Sequence, residues 1–230
     1  MTDQLRECVW FYTGADYLLI NAFLWKNKKA LEPCLGIVWQ NNLDVIREAE
    51  EEGPEKRFAS FGPDGGMMLE SYRRRTADAL TDDAKKGMLE QAISDIRLLC
   101  DSMQPAREPV RLFRNMESAF CLKNAREGEQ IELLGLTSTS TTGQQIDYGH
   151  DDYRKPAQIL RIDVPKGLPT LFLKNEEHEV LLPPMRYRVT GNDTSDGVPT
   201  VTLEALCPLN LELLIRRAKE TFPAYFHDAR

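Results

Sequence analysis

The chain has 230 residues, 42% of them hydrophobic, which is enough to bury a substantial core in one domain or in one domain with a helical subdomain. Its formal net charge of −7 argues against a broad phosphate-binding surface, so nucleic acid is a poor first hypothesis for the partner. The five cysteines lack any Cys-x-x-Cys spacing and the three histidines are dispersed. We therefore expect reduced thiols, with neither a disulfide framework nor a metal site.

The N-terminus lacks the basic start and apolar core of a signal peptide, and no apolar run approaches the roughly 18 residues of a membrane span. We expect the mature chain to work in a cytosol, without a membrane partner. The sequence leaves open whose cytosol this is, since proteins delivered by a dedicated secretion machine need no cleavable leader.

Helical periodicity dominates residues 1–108. From Leu5 to Trp25 apolar residues recur at helical spacing, with Gly14 breaking the stretch and Asp16 opening a second helix. Asn42 is predicted to cap a helix that runs to Glu52 and ends at Gly53-Pro54. Further helices are predicted over residues 68–80, 82–103 and 209–219.

Two local motifs in this portion have ordinary interpretations. The glycine-rich stretch at residues 62–66 is predicted to be a surface turn and not a phosphate loop, because it lacks a Lys-Ser/Thr ending and no strand precedes it. The three arginines at residues 73–75 are typical of a solvated helix face, although such a face can also touch an acidic partner.

From Pro109 onwards the hydrophobic period changes to two, and short β-rich runs alternate with turn residues. Few helices interrupt them, which favours mostly antiparallel packed sheets over βαβ units. We expect one domain with a helical portion (1–108), a β-sheet core (109–207) and a helical tail (208–230). Strands are predicted over residues 110–114, 130–138, 158–164, 170–173, 178–182, 187–190 and 200–206, with a hairpin loop at 192–197.

Glu177 and Glu179 precede an apolar strand and, by strand alternation, point to the same side. Their backbones would lie about 6–7 Å apart, close enough for two carboxylates to act on one sugar carbon. This geometry is typical of glycosyl transfer. A solvated strand end rich in acids is the alternative, and the pair alone does not decide between them.

Arg114 and Ser138 also lie at strand ends. A guanidinium held at such an end can bind a pyrophosphate through forked hydrogen bonds, whereas Arg111, which alternates with it, is predicted to face solvent. Ser138 lies in a hydroxyl-rich run, residues 135–142, and its hydroxyl can orient a carboxylate. Taken alone, Arg114 is more typical of a surface charge and Ser138 of a strand-end turn.

The order of Arg114, then Ser138-Thr139-Ser140, then Glu177-x-Glu179 resembles the arginine–serine–glutamate branch of the mono-ADP-ribosyltransferases, which includes bacterial toxins and effectors. The run from Tyr12 to Leu24 also looks like this family's opening helix motif, so the resemblance spans about residues 10–206. It implies an α+β fold in which a helical N-terminal portion packs on two facing, mostly antiparallel β-sheets, with NAD in the cleft between them.

The resemblance also implies roles for individual residues. Arg114 would hold the phosphates and ribose of NAD, and Asn115 would present its backbone to the nicotinamide amide. Ser138 would support Glu179, whose carboxylate would stabilise the oxocarbenium-like ribose as nicotinamide departs. Glu177 would bind or deprotonate the incoming nucleophile.

Other segments match the family by position. Residues 144–153 would form a flexible loop over the phosphates, with Tyr148 or Tyr153 stacking there, and residues 172–177 would form the substrate-recognition turn. Three positions would border the cofactor in the helical portion: Tyr12, Tyr17 and Asn21.

The sequence departs from the family pattern at Asn115, where glycine is common, and at Leu136, where an aromatic residue is common. A glutamate at position 177 usually accompanies arginine modification, although some bacterial members with this pattern modify threonine of ubiquitin. The predicted function is NAD-dependent transfer of ADP-ribose to a protein side chain, with NAD as co-substrate and no metal. An NAD glycohydrolase and a non-catalytic NAD- or partner-binding member are the alternatives.

Overall fold

The computed structural model describes residues 2–116, 121–122, 124–142, 156–173, 178–195 and 197–226. The chain divides into two compact units. The helical unit comprises Met1–Asp101 and Glu212–Arg230, and the sheet unit comprises Ser102–Leu211. No helix in the described part of the chain is both long and apolar enough to cross a membrane.

The helical unit is built around aromatic contacts. Phe11, Phe58 and Tyr72 lie in one buried cluster, and Phe23 stacks on Phe222 with ring centroids 6.1 Å apart. The second of these contacts attaches the C-terminal segment to the N-terminal helices, which is why both ends of the chain belong to this unit. The helices are α1 (Asp3–Phe11), α2 (Tyr17–Leu24), α3 (Lys28–Glu52), α4 (Pro54–Arg57), α5 (Gly65–Arg75), α6 (Asp82–Asp101), α7 (Leu211–Thr221) and α8 (Pro223–Phe226).

Several helix boundaries differ from the prediction; the helix predicted over residues 68–80, for example, spans Gly65–Arg75. Gly14 does not interrupt the helical stretch, because a π-helical turn, Tyr12–Asp16, joins α1 directly to α2. The side chain of Asp16 makes no capping hydrogen bond at the start of α2. Asn42 is not a cap but a buried residue in the middle of α3. The cap is Asn27, whose Oδ1 accepts hydrogen bonds from the backbone N–H groups of Lys29 and Ala30 at 3.2 Å each.

The glycine-rich stretch predicted to be a turn is partly helical. A 3₁₀-helix covers Ala59–Asp64, and α5 begins at Gly65. A side chain at Gly65 would come within 2.7 Å of the Pro54 carbonyl oxygen, so this close approach of α5 to α4 requires glycine.

In the described part of the sheet unit, nine strands follow one continuous order, β1-β6-β7-β4-β2-β5-β9-β8-β3. Neighbouring strands are antiparallel except β5 and β9, which run parallel. The prediction of an α+β fold with mostly antiparallel strands is therefore confirmed. The strands are β1 (Gln104–Pro105), β2 (Val110–Met116), β3 (Gln130–Leu133), β4 (Thr137–Ser140), β5 (Gln158–Val164), β6 (Pro169–Phe172), β7 (Glu179–Leu182), β8 (Met185–Ser195) and β9 (Val198–Pro208).

The alternation of hydrophobic and polar residues predicted these strands well, and β5 has the bounds predicted for it. The single strand predicted over residues 130–138 is wrong: β3 ends at Leu133, β4 begins at Thr137, and the two pair with different partners, β8 and β7. The predicted hairpin loop at 192–197 is shorter than expected, because β8 and β9 remain paired as far as Ser195 and Val198.

The strand order has two parts, β1-β6-β7-β4 and β2-β5-β9-β8-β3, which meet where β4 pairs with β2. The ladder between β2 and β4 consists of one residue pair, Phe113 and Ser140. The parts nevertheless share one hydrophobic core, since Val180 of β7 belongs to the same buried cluster as Leu112 of β2 and Leu203 of β9. The junction is therefore held by core packing and by the side chains described next.

Candidate active site

Strand β2 presents alternate faces along its length. Leu112 and Met116 are buried, whereas Arg111 and Asn115 are exposed. Arg114 lies on the inner side with Leu112 and Met116 and is half-buried. The strand thus directs one guanidinium towards the interior, while Arg111 faces solvent as predicted and forms a forked ion pair with Asp163 at 2.7 and 3.0 Å.

The Arg114 guanidinium bridges the gap where β2 and β4 diverge. Beyond the Phe113–Ser140 pair no further ladder pair forms, which leaves the Ser138 carbonyl available on that side. Arg114 Nη1 donates to this carbonyl oxygen at 2.9 Å, and Arg114 Nε donates to the Met116 sulfur at 3.3 Å. Both acceptors are neutral groups.

The Ser138 hydroxyl donates a hydrogen bond to Glu179 Oε1. Glu179 is only 7% exposed, which is unusual for a carboxylate. It is the first residue of β7, where its backbone pairs with Ser140 and its carbonyl accepts from Leu173 N at 2.9 Å. One residue, Ser138, therefore links the arginine through its carbonyl to the glutamate through its hydroxyl.

The backbone turns sharply immediately before Glu179. His178 has φ of +50°, a left-handed conformation that is uncommon for most residues other than glycine but that histidine, like asparagine and aspartate, adopts more often. Its carbonyl accepts a hydrogen bond from Thr141 N at 3.3 Å, while its side chain is exposed. Such strain is retained where surrounding contacts determine the backbone, and here it sets the start of β7.

The remaining hydroxyls of the Ser-Thr-Ser motif hold the backbone. Thr139 Oγ1 donates to the Val180 carbonyl at 2.6 Å, which fastens β4 to β7. Ser140 Oγ accepts from the Thr142 backbone N–H at 3.1 Å and closes the turn after β4. Of the three residues, Ser138 is the one whose hydroxyl donates to the Glu179 carboxylate.

Within the described residues, no carboxylate forms an ion pair with Arg114. The positive charge of Arg114 is therefore available to interact with a bound anion. The charge of Arg114 also affects the fully buried Tyr187. Burial raises the pKa of the Tyr187 phenol well above its usual value, and the positive charge of Arg114 partly offsets this increase. The described hydrogen bonds of Arg114 are thus to neutral groups only.

Several residues predicted for this site cannot be placed beside it. Glu177, Tyr148, Tyr153 and the whole segment 144–153 lie outside the described residues. Of the predicted recognition turn, 172–177, only Phe172 and Leu173 are described, and Phe172 is 52% exposed. Asn115 has an exposed side chain and is aligned with Ile159 of β5.

Tyr12, Tyr17 and Asn21 belong to the helical unit. Tyr12 is buried and Tyr17 is 39% exposed, and their rings form an edge contact with centroids 6.4 Å apart. Asn21 Oδ1 is buried without a hydrogen-bond partner among the described residues. The three positions follow one another along the π-turn and α2.

A second buried charged cluster lies in the helical unit. Arg75 donates to Asp95 at 2.8 and 3.3 Å and to Asp16 at 3.5 Å, and its guanidinium covers the Phe11 ring at 3.7 Å. Burial raises the pKa of Asp16 to about 7, although Arg75 opposes the shift. The solvated face predicted for the three arginines is wrong at Arg75, whereas Arg73 is exposed.

Two features of the sites were missed by sequence reasoning. Met116 lies two residues after Arg114 on the same face, and that spacing was the available signal. Nothing in the local sequence distinguishes Arg75 from its two neighbours. The described residues contain no group of three or more His, Cys, Asp or Glu side chains that would hold a metal ion.

Comparison with known proteins gave matches among solved structures. No protein-family model and no curated protein matches the sequence. The catalytic domain of VahC from Aeromonas hydrophila is 15% identical, with 90% of this chain and 100% of that chain covered and a TM-score of 0.50. ADP-ribosyltransferase Vis in complex with agmatine is 15% identical, with 89% and 75% covered and a TM-score of 0.46. C3stau2 from S. aureus with NAD is 16% identical, with 56% and 73% covered and a TM-score of 0.37.

Vis is described as an ADP-ribosyltransferase, and the VahC match, which extends over 90% of this chain, shows a likeness of fold. The α+β architecture implied by the sequence motifs is thus found in the protein. The chain has the fold of the toxin-like ADP-ribosyltransferases.

Proposed function

We propose that the protein is a mono-ADP-ribosyltransferase that cleaves NAD and transfers ADP-ribose to a side chain of a target protein. The observation that carries this proposal is the hydrogen-bonded chain from Arg114 through Ser138 to the buried Glu179. It combines a cation, some of whose donors no described residue uses, with an oriented carboxylate, which are the two groups that cleavage of a pyrophosphate-bearing glycoside needs.

In the first step the bond between the ribose carbon and the nicotinamide nitrogen breaks, and its electron pair leaves with nicotinamide. Arg114 binds the phosphates of NAD through the donors that no described residue accepts from. Glu179, held by the Ser138 hydroxyl, places negative charge beside the ribose, where positive charge develops. The carboxylate needs no reorientation during the reaction because Ser138 already fixes it.

In the second step a nitrogen or oxygen of the acceptor forms the new bond to the ribose carbon and loses a proton. We assign Glu177 as the group that binds the acceptor and takes this proton, because it lies two residues before Glu179 in the sequence. The acceptor is arginine or threonine of ubiquitin. Asn115, Tyr12, Tyr17 and Asn21 are proposed to border the bound NAD.

The proposal includes a setting for the enzyme. The resemblance to toxins and effectors supports a bacterial protein acting in the cytosol of the cell that makes it or, if it is secreted, in the host-cell cytosol. A target protein is then the natural partner.

The test uses labelled NAD, a whole-cell lysate and the purified protein, followed by mass spectrometry of labelled proteins. Glu179→Gln removes the carboxylate and is expected to abolish both labelling and nicotinamide release. Glu204→Gln is the matched control, since Glu204 lies on β9 and pairs with Arg188 at 3.5 Å. It should leave both activities within about twofold of wild type, as for an exposed ion pair.

Agmatine and ubiquitin serve as defined acceptors in parallel reactions. Labelling of agmatine supports arginine transfer, and labelling of ubiquitin supports threonine transfer. Nicotinamide release without any labelled acceptor would replace the transferase with an NAD glycohydrolase. NAD binding without release would indicate a non-catalytic member of the fold, and equal activity of wild type and Glu179→Gln would refute the assignment.

A further inference from the structure

We infer that Met116 is a positioning residue for Arg114 and determines which edge of the guanidinium meets an anionic ligand. The inference rests on the proposed function, in which that ligand is the pyrophosphate of NAD. It is motivated by an unusual contact: Arg114 Nε donates to the Met116 thioether sulfur at 3.3 Å.

The two contacts of Arg114 fix the plane of its guanidinium. Nε is held by Met116, on the same strand, and Nη1 is held by the Ser138 carbonyl on β4. A guanidinium has five N–H donors, so three remain, including both on Nη2. Within the described residues these three have no protein acceptor. Two contacts at separate nitrogens leave the group little freedom to rotate.

Other arginines of the chain show what Met116 prevents. Arg97 and Arg111 each use Nε together with Nη2 to bind one carboxylate in a fork, with distances of 2.7 and 2.7 Å for Arg97 and 2.7 and 3.0 Å for Arg111. In Arg114 the Nε–H already donates to the Met116 sulfur, so Nε and Nη2 cannot together bind one anion in a fork. An anion must instead meet the Nη end of the group.

A thioether suits this task because it accepts a hydrogen bond without adding charge. A carboxylate at the same place would neutralise Arg114 and compete with a phosphate for it. Met116 is itself buried and is anchored by its backbone, since its carbonyl accepts from Ala157 N at 3.0 Å. The backbone that carries this side chain is therefore held in place, and the sulfur lies within reach of Arg114 Nε.

The experiment replaces Met116 with leucine, which keeps the volume and removes the acceptor. Met185→Leu is the matched control, because Met185 is buried in the same core cluster and makes no bond to Arg114. Three quantities are measured for each protein: the side-chain Nε–H resonance of Arg114 by nitrogen–proton NMR, the Kd for NAD by calorimetry, and KM and kcat for nicotinamide release.

For Met116→Leu we expect a shifted, faster-exchanging Nε–H resonance and a rise of about threefold to tenfold in both Kd and KM, the effect of losing one hydrogen bond. The value of kcat should stay within about twofold, because Glu179 and Ser138 are untouched. Met185→Leu should leave the resonance and Kd unchanged. A purely packing role for Met116 would affect both variants alike.

The inference and the proposed function fail in different ways. An unchanged Nε–H resonance or an unchanged Kd in Met116→Leu overturns the inference, even if the wild type is an active enzyme. A wild type that binds NAD but releases no nicotinamide refutes the proposed reaction, and the calorimetric Kd still decides the role of Met116. A wild type that does not bind NAD overturns both.

Discussion

Each unit of the molecule holds a half-buried arginine, yet the two arginines have different partners. In the helical unit, Arg75 bonds directly to Asp95 and Asp16 and covers an aromatic ring. In the sheet unit, Arg114 donates to a carbonyl and a thioether, and the nearby Glu179 is held by a hydroxyl. One arginine is satisfied by opposite charge and the other is held by neutral groups.

We interpret this difference as the difference between a structural site and the proposed NAD-binding site. A charge that is paired inside the protein contributes to folding, and removing its partner is strongly destabilising. A charge that is positioned by neutral groups is not neutralised by its protein contacts, so it can attract an oppositely charged ligand. We therefore expect substitutions in the helical cluster to change stability, and substitutions in the sheet cluster to change NAD binding and cleavage.

The largest expected effect follows removal of Arg75. In Arg75→Met the buried Asp95 and Asp16 lose their cation, and the free energy of unfolding should fall by about 3–5 kcal/mol. Urea denaturation of the full chain measures this. Arg73→Met is the control on the same helix, since Arg73 makes exposed pairs with Glu50 and Glu70 and should cost at most about 1 kcal/mol. Equal losses in the two variants would remove the distinction.

Arg114→Lys tests the other side of the comparison. Lysine keeps the positive charge but not the planar fork of donors, so kcat/KM for nicotinamide release should fall on the order of 10²-fold. The free energy of unfolding should change by no more than about 1 kcal/mol, because the lost contacts are to neutral groups. Arg111→Lys on the same strand should retain activity. A large loss of stability with normal activity in Arg114→Lys would contradict our account.

Ser138→Ala leaves the backbone carbonyl that holds Arg114 and removes only the hydroxyl that holds Glu179. We expect kcat for nicotinamide release to fall about tenfold, the effect of one lost hydrogen bond to a charged group, while Kd for NAD stays within about twofold. Ser138→Thr retains a hydroxyl and should recover part of the rate. A fall in NAD affinity with unchanged kcat would place Ser138 with the binding groups instead.

A further expected effect concerns the dependence of stability on pH. The pKa of Asp16 is about 7 in the folded chain and 3.8 ordinarily, so the folded chain binds more protons than the unfolded chain between these values. The free energy of unfolding should therefore fall as pH rises from about 4 to 7, by at most about 1.4 kcal/mol per pH unit, and then level off. The groups that influence Asp16 are Arg75 and Asp95.

Asp16→Asn imitates the protonated carboxyl and should flatten this part of the stability profile. The measurement is urea denaturation at several pH values between 4 and 8. Asp44→Asn, an exposed position on α3, is the control and should keep the slope of wild type. Identical slopes in wild type and Asp16→Asn would show that Asp16 does not titrate in this window.

The sequence predicted the sheet unit better than the helical unit, for a physical reason. Strand β5 alternates buried and half-buried residues along its length, and this pattern depends only on local geometry. The helix caps were ambiguous, because Asn27 and Asn42 are both good capping residues. Only the packing of α3, which buries Asn42, decides between them, and packing is not visible in a short window.

The residues of the candidate site could be predicted from the sequence, but the hydrogen bonds that link them could not. The order of Arg114, Ser138 and Glu179 along the chain indicated a common site. That one residue, Ser138, links the other two by its carbonyl and its hydroxyl depends on the divergence of β2 from β4, a property of the whole sheet. The contacts of Met116 and Arg75 likewise depend on tertiary structure.

The most direct test of the central claim is a calorimetric titration of NAD into Glu179→Gln, with nicotinamide release measured on the same sample. We predict that this variant binds NAD with an affinity close to that of Glu204→Gln but releases no nicotinamide, because Arg114 still binds the phosphates and the charge beside the ribose is gone. Nicotinamide release at the rate of Glu204→Gln would contradict the claim that Glu179 is the catalytic carboxylate.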